Sequence, residues 1–314
     1  MSDNHKMLFP KVQLNFPDGF ASRRLKSQLL KYKPLRVKIV EDSSDISLEF
    51  LVGNPYHIPD DKWNRRAIKR IENDKIDKVY WMFYSNYGDD TVMPEHLRNG
   101  KIITTLPSVE SEYSNVAMIP LGAEPKTFFQ KTLDRKYIIH THGYDISEAI
   151  QYVNVACQKV KRKQCHIGAD FDSLNKQANG IMDKNNIDIY SNLVDSDMRK
   201  YYNLSEYVSG LRGIEGFEMP IVEGAMCGCT PITYDLPCYK RWFNDFAIFI
   251  PFWEHPKYDI GQLTATPEGR EKLVNAIVTA ISNGSKITQG QVDYVRDTFS
   301  WKRIMPKIWK TILS

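Results

Sequence analysis

Glu215-Gly216-Phe217-Glu218-Met219-Pro220-Ile221-Val222-Glu223-Gly224-Ala225-Met226-Cys227-Gly228-Cys229-Thr230-Pro231-Ile232 is the most structured stretch of this 314-residue chain. Gly216 permits a tight turn or a close backbone approach. Pro220 suits the first turn of a helix, where its missing N–H leaves no bond unmade. The run that follows predicts a helix to about Cys227, ended by Gly228 in the left-handed conformation common after helix C-termini. Pro231 and Ile232 then open a strand. The unit therefore reads strand, glycine loop, helix, short turn, strand. Such a unit points its helix N-terminus at the crevice beyond the carboxyl ends of a parallel sheet, where α/β proteins bind ligands. Unpaired backbone N–H groups there suit a phosphate, and the helix dipole adds about 0.3–1 kcal/mol per charge. Glu215 precedes the helix and Glu223 lies about one turn inside it. Carboxylates beside a diphosphate would repel it, so both are assigned to sugar hydroxyls, for which they are good acceptors. Spacing alone is not diagnostic: Glu41 and Glu49 stand equally far apart, without the glycine, the proline or the Ala-Met-Cys-Gly that follows.

Outward from this unit, short apolar runs alternate with longer segments of helical character. Strands are expected at 7–9, 37–40, 48–52, 79–83, 102–105 and 116–119. A second set is expected at 137–141, 165–167, 187–190, 207–209, 231–234 and 248–250. Helical periodicity is clearest at 147–161, 270–282 and 291–313. Strands interleaved with helices argue for parallel sheets covered on both faces. Two such sets argue for two Rossmann-like halves. They meet at Ile119-Pro120-Leu121-Gly122-Ala123-Glu124-Pro125, where proline and glycine punctuation opens a polar linker running to Arg135.

Composition agrees with a globular chain: 42% hydrophobic, 25% charged and a net charge of +4. The basic run Lys159-Val160-Lys161-Arg162-Lys163 reads as the solvated end of a helix. A second runs from Lys31 to Lys38. No nucleic-acid-binding pattern is present, so nucleic acid is not expected as a substrate. The five cysteines, at 157, 165, 227, 229 and 238, form no CxxC pair and fit buried free thiols in a reducing compartment. The first residues lack the apolar core of a signal peptide, and no run approaches a membrane span. A cytoplasmic protein is the expectation.

The segment from Glu215 to Pro231 resembles the Glu-x7-Glu signature of the retaining glycosyltransferases of sequence family 4. The stretch Val116-Ala117-Met118-Ile119-Pro120-Leu121-Gly122-Ala123-Glu124 with Phe128 resembles that family's domain junction. Phe299-Ser300-Trp301 resembles its C-terminal Phe-Ser-Trp. The likeness covers about 116–314, and the chain's shortness resembles virus-encoded or otherwise compact members. It implies a GT-B fold, in which two Rossmann-like parallel-sheet domains face each other across a cleft. The implied divisions are an acceptor-side domain at 1–121, a nucleotide-sugar domain at 122–298, and a helix at 299–314 packing back on the first. It implies a metal-independent hexosyltransferase without a cofactor, moving a sugar with retention from a nucleotide-diphosphate donor, GDP-mannose foremost, to a glycan, glycolipid or glycoprotein.

By position, the resemblance makes Glu215 the catalytic carboxylate facing the donor sugar and Glu223 the ligand of the ribose diol. Gly216, Phe217, Glu218 and Met219 would line sugar and diphosphate through their backbone, with the Glu218 side chain turned to solvent. Asn192 and Leu193 match base-contacting positions, and Gly19, in Asp18-Gly19-Phe20, matches a glycine loop against the phosphates. The family's diphosphate-binding Arg and Lys are replaced by Tyr144 and Ala149. Arg212 is the first substitute considered, with Arg23 and Arg24 further options. His57 is a candidate in the first domain.

Other readings rest on shorter patterns. His140-Thr141-His142 places two imidazoles on one strand face, a possible metal pair in a hydrolase. A sugar-nucleotide binder with weak catalysis is a third class. Asp170-Phe171-Asp172 and Asp195-Ser196-Asp197 are read as helix caps rather than metal sites. The amphipathic helix around Trp301, Ile304, Ile308, Trp309 and Ile312 is assigned to packing between domains, with peripheral membrane contact as an alternative. A homodimer is a further expected partner state.

Overall fold

A computed structural model describes residues 9–16, 20–41, 48–52, 77–82, 100–107, 110, 114–131, 133–143, 149–212, 216–252 and 267–314. It divides the chain into two compact units, one of Met1–Leu121 with Trp301–Ser314 and one of Gly122–Ser300.

In the first unit six parallel strands run β1 (Lys11–Asn15), β2 (Lys38–Ile39), β3 (Leu48–Val52), β4 (Asp77–Met82), β5 (Lys101–Thr104) and β6 (Val116–Met118). Their order in the sheet is β2-β1-β3-β4-β5-β6. Strand β1 corrects the strand expected at 7–9, whose first two residues lie outside those described. Phe9 is exposed coil. The strand was hard to see because polar Gln13 and Asn15 alternate with apolar Val12 and Leu14, yet all four are buried. A strand covered on both faces needs no clean apolar alternation. The polar pair is partly satisfied internally: Gln13 Nε2 donates to Asn15 Oδ1 at 3.3 Å, and Asn15 Nδ2 to the Phe50 carbonyl at 3.3 Å, while Gln13 Oε1 has no partner among the described residues.

Helix α1 (Phe20–Lys31) follows β1 and buries Leu25 and Leu29. The last helix of the chain, Trp301–Leu313 (numbered α9 below), belongs to this unit and packs on α1 and β5. Its residues Trp301, Ile304, Met305, Ile308, Trp309 and Ile312 form a buried stripe at helical spacing. Lys302, Arg303, Lys307 and Lys310 face solvent. The indole N–H of Trp309 donates to the Leu29 carbonyl at 3.2 Å. With that stripe buried in packing, the apolar face for which membrane contact was the alternative is occupied.

The second unit has six parallel strands, β7 (Tyr137–Gly143), β8 (Gln164–Gly168), β9 (Ile187–Tyr190), β10 (Ser205–Gly210), β11 (Thr230–Tyr234) and β12 (Ile248–Ile250). The order β12-β11-β10-β7-β8-β9 is the doubly wound Rossmann arrangement. Its helices are α2 (Ile150–Lys159), α3 (Phe171–Gln177), α4 (Asp195–Asn203), α5 (Met219–Met226), α6 (Pro237–Phe243), α7 (Pro267–Ser282) and α8 (Gln289–Thr298). Both faces of β10 are covered: Val208 meets α5, while its neighbour Tyr207 donates its hydroxyl to the Ile281 carbonyl of α7. Adjacent strand residues point to opposite faces, so α5 and α7 lie on opposite sides of the sheet.

The periodicity at 291–313 resolves into two helices, α8 and α9. Between them Ser300 forms a parallel bridge to Ala123, and Ala123 N–H donates to the Phe299 carbonyl at 2.9 Å. A backbone engaged in that pairing cannot also continue a helical ladder.

Candidate functional site

Strand order in the second sheet reverses between β7 and β10, and the ligand crevice of such sheets opens beyond the carboxyl ends of those two strands. β7 ends at Gly143. Its carbonyl accepts from His166 Nε2 at 2.9 Å. Gln164 Nε2 donates to Thr141 Oγ1 at 2.7 Å, and that hydroxyl meets His166 Nδ1 at 2.9 Å. A carbonyl can only accept, so the contact with Gly143 places a proton on His166 Nε2. Burial lowers its pKa to about 4, opposed by the hydrogen bond to Gly143. The strand ends are in close contact: a Cβ on Gly168 would come within 1.7 Å of the Gly143 oxygen.

β10 ends at Gly210, and α5 is seated directly over it. A Cβ on Gly210 would lie 2.1 Å from Ile221 Cδ1, and one on Gly224 would lie 2.7 Å from Val208 Cγ1. The absent side chains let the helix rest against the strand backbone. Glu218 is the N-cap residue, Pro220 occupies the first turn, and Gly228 follows the helix at φ 79°. Arg135 ties down the opposite end. Its guanidinium donates to the carbonyls of Tyr202, Ser205, Cys227 and Gly228, binding the ends of α4 and α5 to the start of β10.

Of the sequence-derived site residues, Arg212, Gly216, Phe217 and Glu218 lie on the β10–α5 connection, and Met219 and Glu223 on the first turns of α5. Phe217 is buried against Phe243, with ring centroids 5.1 Å apart. Glu218 corrects the expectation of a solvent-facing side chain: it is 3% exposed, with Arg212 Nε 3.5 Å from its Oε1. A carboxylate beside a guanidinium on the same loop has reason to turn inward, since burying a charge requires a partner. Tyr239 donates its hydroxyl to the Arg212 carbonyl at 2.8 Å, anchoring that arginine from α6. Glu223 is 2% exposed, and its Oε2 accepts from the Tyr202 hydroxyl at 3.1 Å.

Asn192 and Leu193 follow β9, the edge strand, with β8 between it and the crossover. Asn192 is exposed and adopts a left-handed φ of 53°. Arg23 and Arg24 lie on α1 of the first unit. Glu215, Gly19, His57 and Tyr144 lie outside the described residues. Ala149, the other replaced position, is buried at φ 56° before α2.

Sequence reasoning missed Tyr202, Tyr239 and His166. Tyr202 was legible as the partner of Met198, four residues away on the buried face of α4. Nothing local shows that its hydroxyl meets a residue on the next helix.

Among the described residues the histidine pair is not part of a metal-binding group. His140 is fully buried with its ring tilted against that of Tyr202, centroids 4.3 Å apart. Burial, with His142 and His166 adding, holds it neutral well below the ordinary histidine range. Among the described residues no group of three His, Cys, Asp or Glu side chains could hold a metal. Asp170 caps α3, its Oδ1 accepting from Ser173 N–H at 3.0 Å. Asp195 corrects the second capping expectation: it lies inside the first turn of α4, with Val194 at the cap. All five cysteines are free and buried. Among the described residues no helix is long and apolar enough to cross a membrane.

No protein-family model and no curated protein matches the chain. Solved structures do. Sucrose-phosphate synthase from Thermosynechococcus elongatus superposes with a TM-score of 0.68 at 12% identity, covering 96% of this chain and 98% of that one. HepE from Anabaena, solved in complex with UDP, gives 0.67 at 11% identity, covering 97% and 99%. WaaG, a glycosyltransferase of lipopolysaccharide biosynthesis, gives 0.58 at 12% identity, covering 96% and 99%. The likeness spans both units, and the chain has the GT-B fold of these glycosyltransferases.

Proposed function

We propose that this chain is a glycosyltransferase that moves a hexose from a nucleotide-diphosphate sugar to a glycan, lipid-linked or protein-linked acceptor, with retention of configuration. The observation that carries this reading is Glu223, a buried carboxylate one turn inside α5, beside the loop where the sheet's strand order reverses. A carboxylate there suits the paired hydroxyls of a ribose. The backbone N–H groups of residues 216–219 at the helix N-terminus suit the diphosphate. Arg212, whose side chain is one-third exposed, is the basic group beside that loop.

In this reading the acceptor hydroxyl approaches the anomeric carbon on the face the leaving phosphate departs from. The phosphate oxygen takes the acceptor proton while the sugar becomes oxocarbenium-like. Preorganised backbone amides and Arg212 stabilise the charge that develops on the leaving group. Glu215 faces the donor sugar, and no metal takes part. GDP-mannose is the donor we favour first.

Isothermal titration calorimetry with GDP-mannose, UDP-glucose and UDP-N-acetylglucosamine tests the reading. One donor is expected to bind saturably, unaffected by EDTA. Glu223→Ala should weaken it about 10- to 100-fold, as expected for lost hydrogen bonds to a charged group. No binding to any donor, or binding abolished by EDTA, would overturn the reading. Product stereochemistry by NMR decides retention, and an inverted anomeric centre sinks that part. The replacement of the family's Arg and Lys by Tyr144 and Ala149 favours one second reading, a sugar-nucleotide binder with weak transfer. Tight donor binding without product over a long incubation would identify it.

A further inference from the structure

Beneath Glu223 lies a buried aromatic cluster to which the patterning of the sequence assigned no role. Tyr202, fully buried on α4, is held on every side. His140 packs against its ring, tilted by 36° with centroids 4.3 Å apart, and Phe128 meets it edge-on at 6.1 Å and 69°. Its carbonyl accepts from Cys229 Sγ at 2.9 Å and from the Arg135 guanidinium at 3.3 Å. A ring fixed this way has one direction for its hydroxyl, and that direction is Glu223 Oε2 at 3.1 Å.

We propose that Tyr202 is a positioning residue that sets the plane of the Glu223 carboxylate for two-point recognition of a ribose 2′,3′-diol. The proposal rests on the ribose reading of Glu223 given above. Burial confines the glutamate's aliphatic stem, but its terminal torsion is broad and roughly two-fold, so packing alone does not orient the carboxylate plane. A diol accepted by both oxygens demands one plane, and the tyrosine hydrogen bond supplies it. His140 serves by shape. Neither ring nitrogen has a hydrogen-bond partner among the described residues, so the imidazole acts as a flat spacer against the tyrosine face.

The test uses GDP and UDP with their 2′,3′-dideoxy analogues, titrated into the full chain and into Tyr202→Phe, His140→Phe and Glu223→Gln. The quantity read is the ratio of affinities, ribonucleotide over dideoxynucleotide. Wild type should prefer the ribonucleotide, and Glu223→Gln should erase most of that preference. Tyr202→Phe should lower the ratio about 3- to 10-fold while leaving dideoxynucleotide affinity unchanged. His140→Phe, which keeps a flat ring against Tyr202, should keep the ratio. A Tyr202→Phe protein that retains the full ratio overturns the proposal. So does one that weakens both nucleotides equally, which is what a merely structural tyrosine would do. If wild type binds nucleotides without preferring the diol, the ribose reading of Glu223 fails first and takes this inference with it. Thermal melts of each variant, with and without nucleotide, separate misfolding from altered recognition.

Discussion

Replacing Gly224 with alanine sets two effects of opposite sign against each other. Gly224 lies inside α5, next to Glu223, where alanine should favour the helix by about 1 kcal/mol. The methyl group, however, would lie 2.7 Å from Val208 Cγ1, 2.8 Å from its Cβ and 3.0 Å from its Cγ2. Val208 is fully buried and β-branched, so it has no flexible end to swing aside. Moving the nearest pair from 2.7 Å to an ordinary 3.4 Å separates helix from strand by roughly 0.7 Å. Overpacking of this kind costs about 1–3 kcal/mol, which exceeds the propensity gain. We expect Gly224→Ala to be net destabilised by up to about 2 kcal/mol in urea unfolding, with an unchanged m-value. A shift of that size also exceeds the ~0.5 Å tolerance of a binding constellation, so nucleotide affinity should fall with stability. Val208→Ala removes both methyls but keeps its Cβ 2.8 Å from the new one, so relief is partial and the double variant should be more stable than the sum of the single losses by about 0.5–1 kcal/mol. A Gly224→Ala protein as stable as wild type, with additive losses in the double variant, would refute the steric reasoning.

Arg135→Met leaves four carbonyls, at the ends of α4 and α5 and the start of β10, without their shared donor, and should cost about 2–4 kcal/mol in chemical denaturation. A loss under 1 kcal/mol would mean that water replaces the guanidinium. Folded His166 titrates at about 4, against about 6.5 in the unfolded chain, and folded His140 is also held neutral by burial. Their stability is therefore present above pH 6.5 and is lost as pH falls from 6.5 toward 4, at about 1.4 kcal/mol per unit for each. His140→Phe should shallow that slope in denaturant midpoints taken between pH 7.5 and 5, and an identical slope in wild type and variant counts against the assignment. Trp309→Ala removes a buried indole and its bond to the Leu29 carbonyl, and should cost about 3–5 kcal/mol. Hydrogen exchange should show that loss in α1 and β5, with the strands of the second unit keeping their protection.

The parts of the fold legible in advance were those written in local chemistry. Gly216, Pro220 and Gly228 bracket α5 closely because each answers a backbone demand that few other residues meet. Short apolar strands built of Leu, Ile, Phe and Tyr, such as β3, β9 and β12, were bounded correctly from pattern. β1 was not, since Gln13 and Asn15 are buried by pairing with each other and with a neighbouring strand. The site divides the same way. That Glu223 stands one turn inside its helix follows from counting, whereas its contact with Tyr202 depends on how α4 and α5 pack. The inward turn of Glu218 toward Arg212 likewise depends on the path of the loop between them. Periodicity across 291–313 hid a break at Ser300 because both flanking segments are helical, and only a partner at Ala123 stops the ladder.

The contact between Trp309 and Leu29 spans 280 residues of sequence. On a ribosome adding about 5–20 residues per second, the 179 residues from 122 to 300 take about 10–35 s to emerge. Throughout that interval α1 has been made, but the helix that covers it has not. The central unit, whose strands and helices are contiguous in sequence, can complete itself first. Its folding also shortens the effective loop that must close before α9 meets α1, easing the entropy of that closure. The first unit is thus begun early and finished late, with a hydrophobic surface waiting in between. A nascent-chain chaperone, or a slow codon run within 301–313, would therefore act on the first unit's yield and not on the second's.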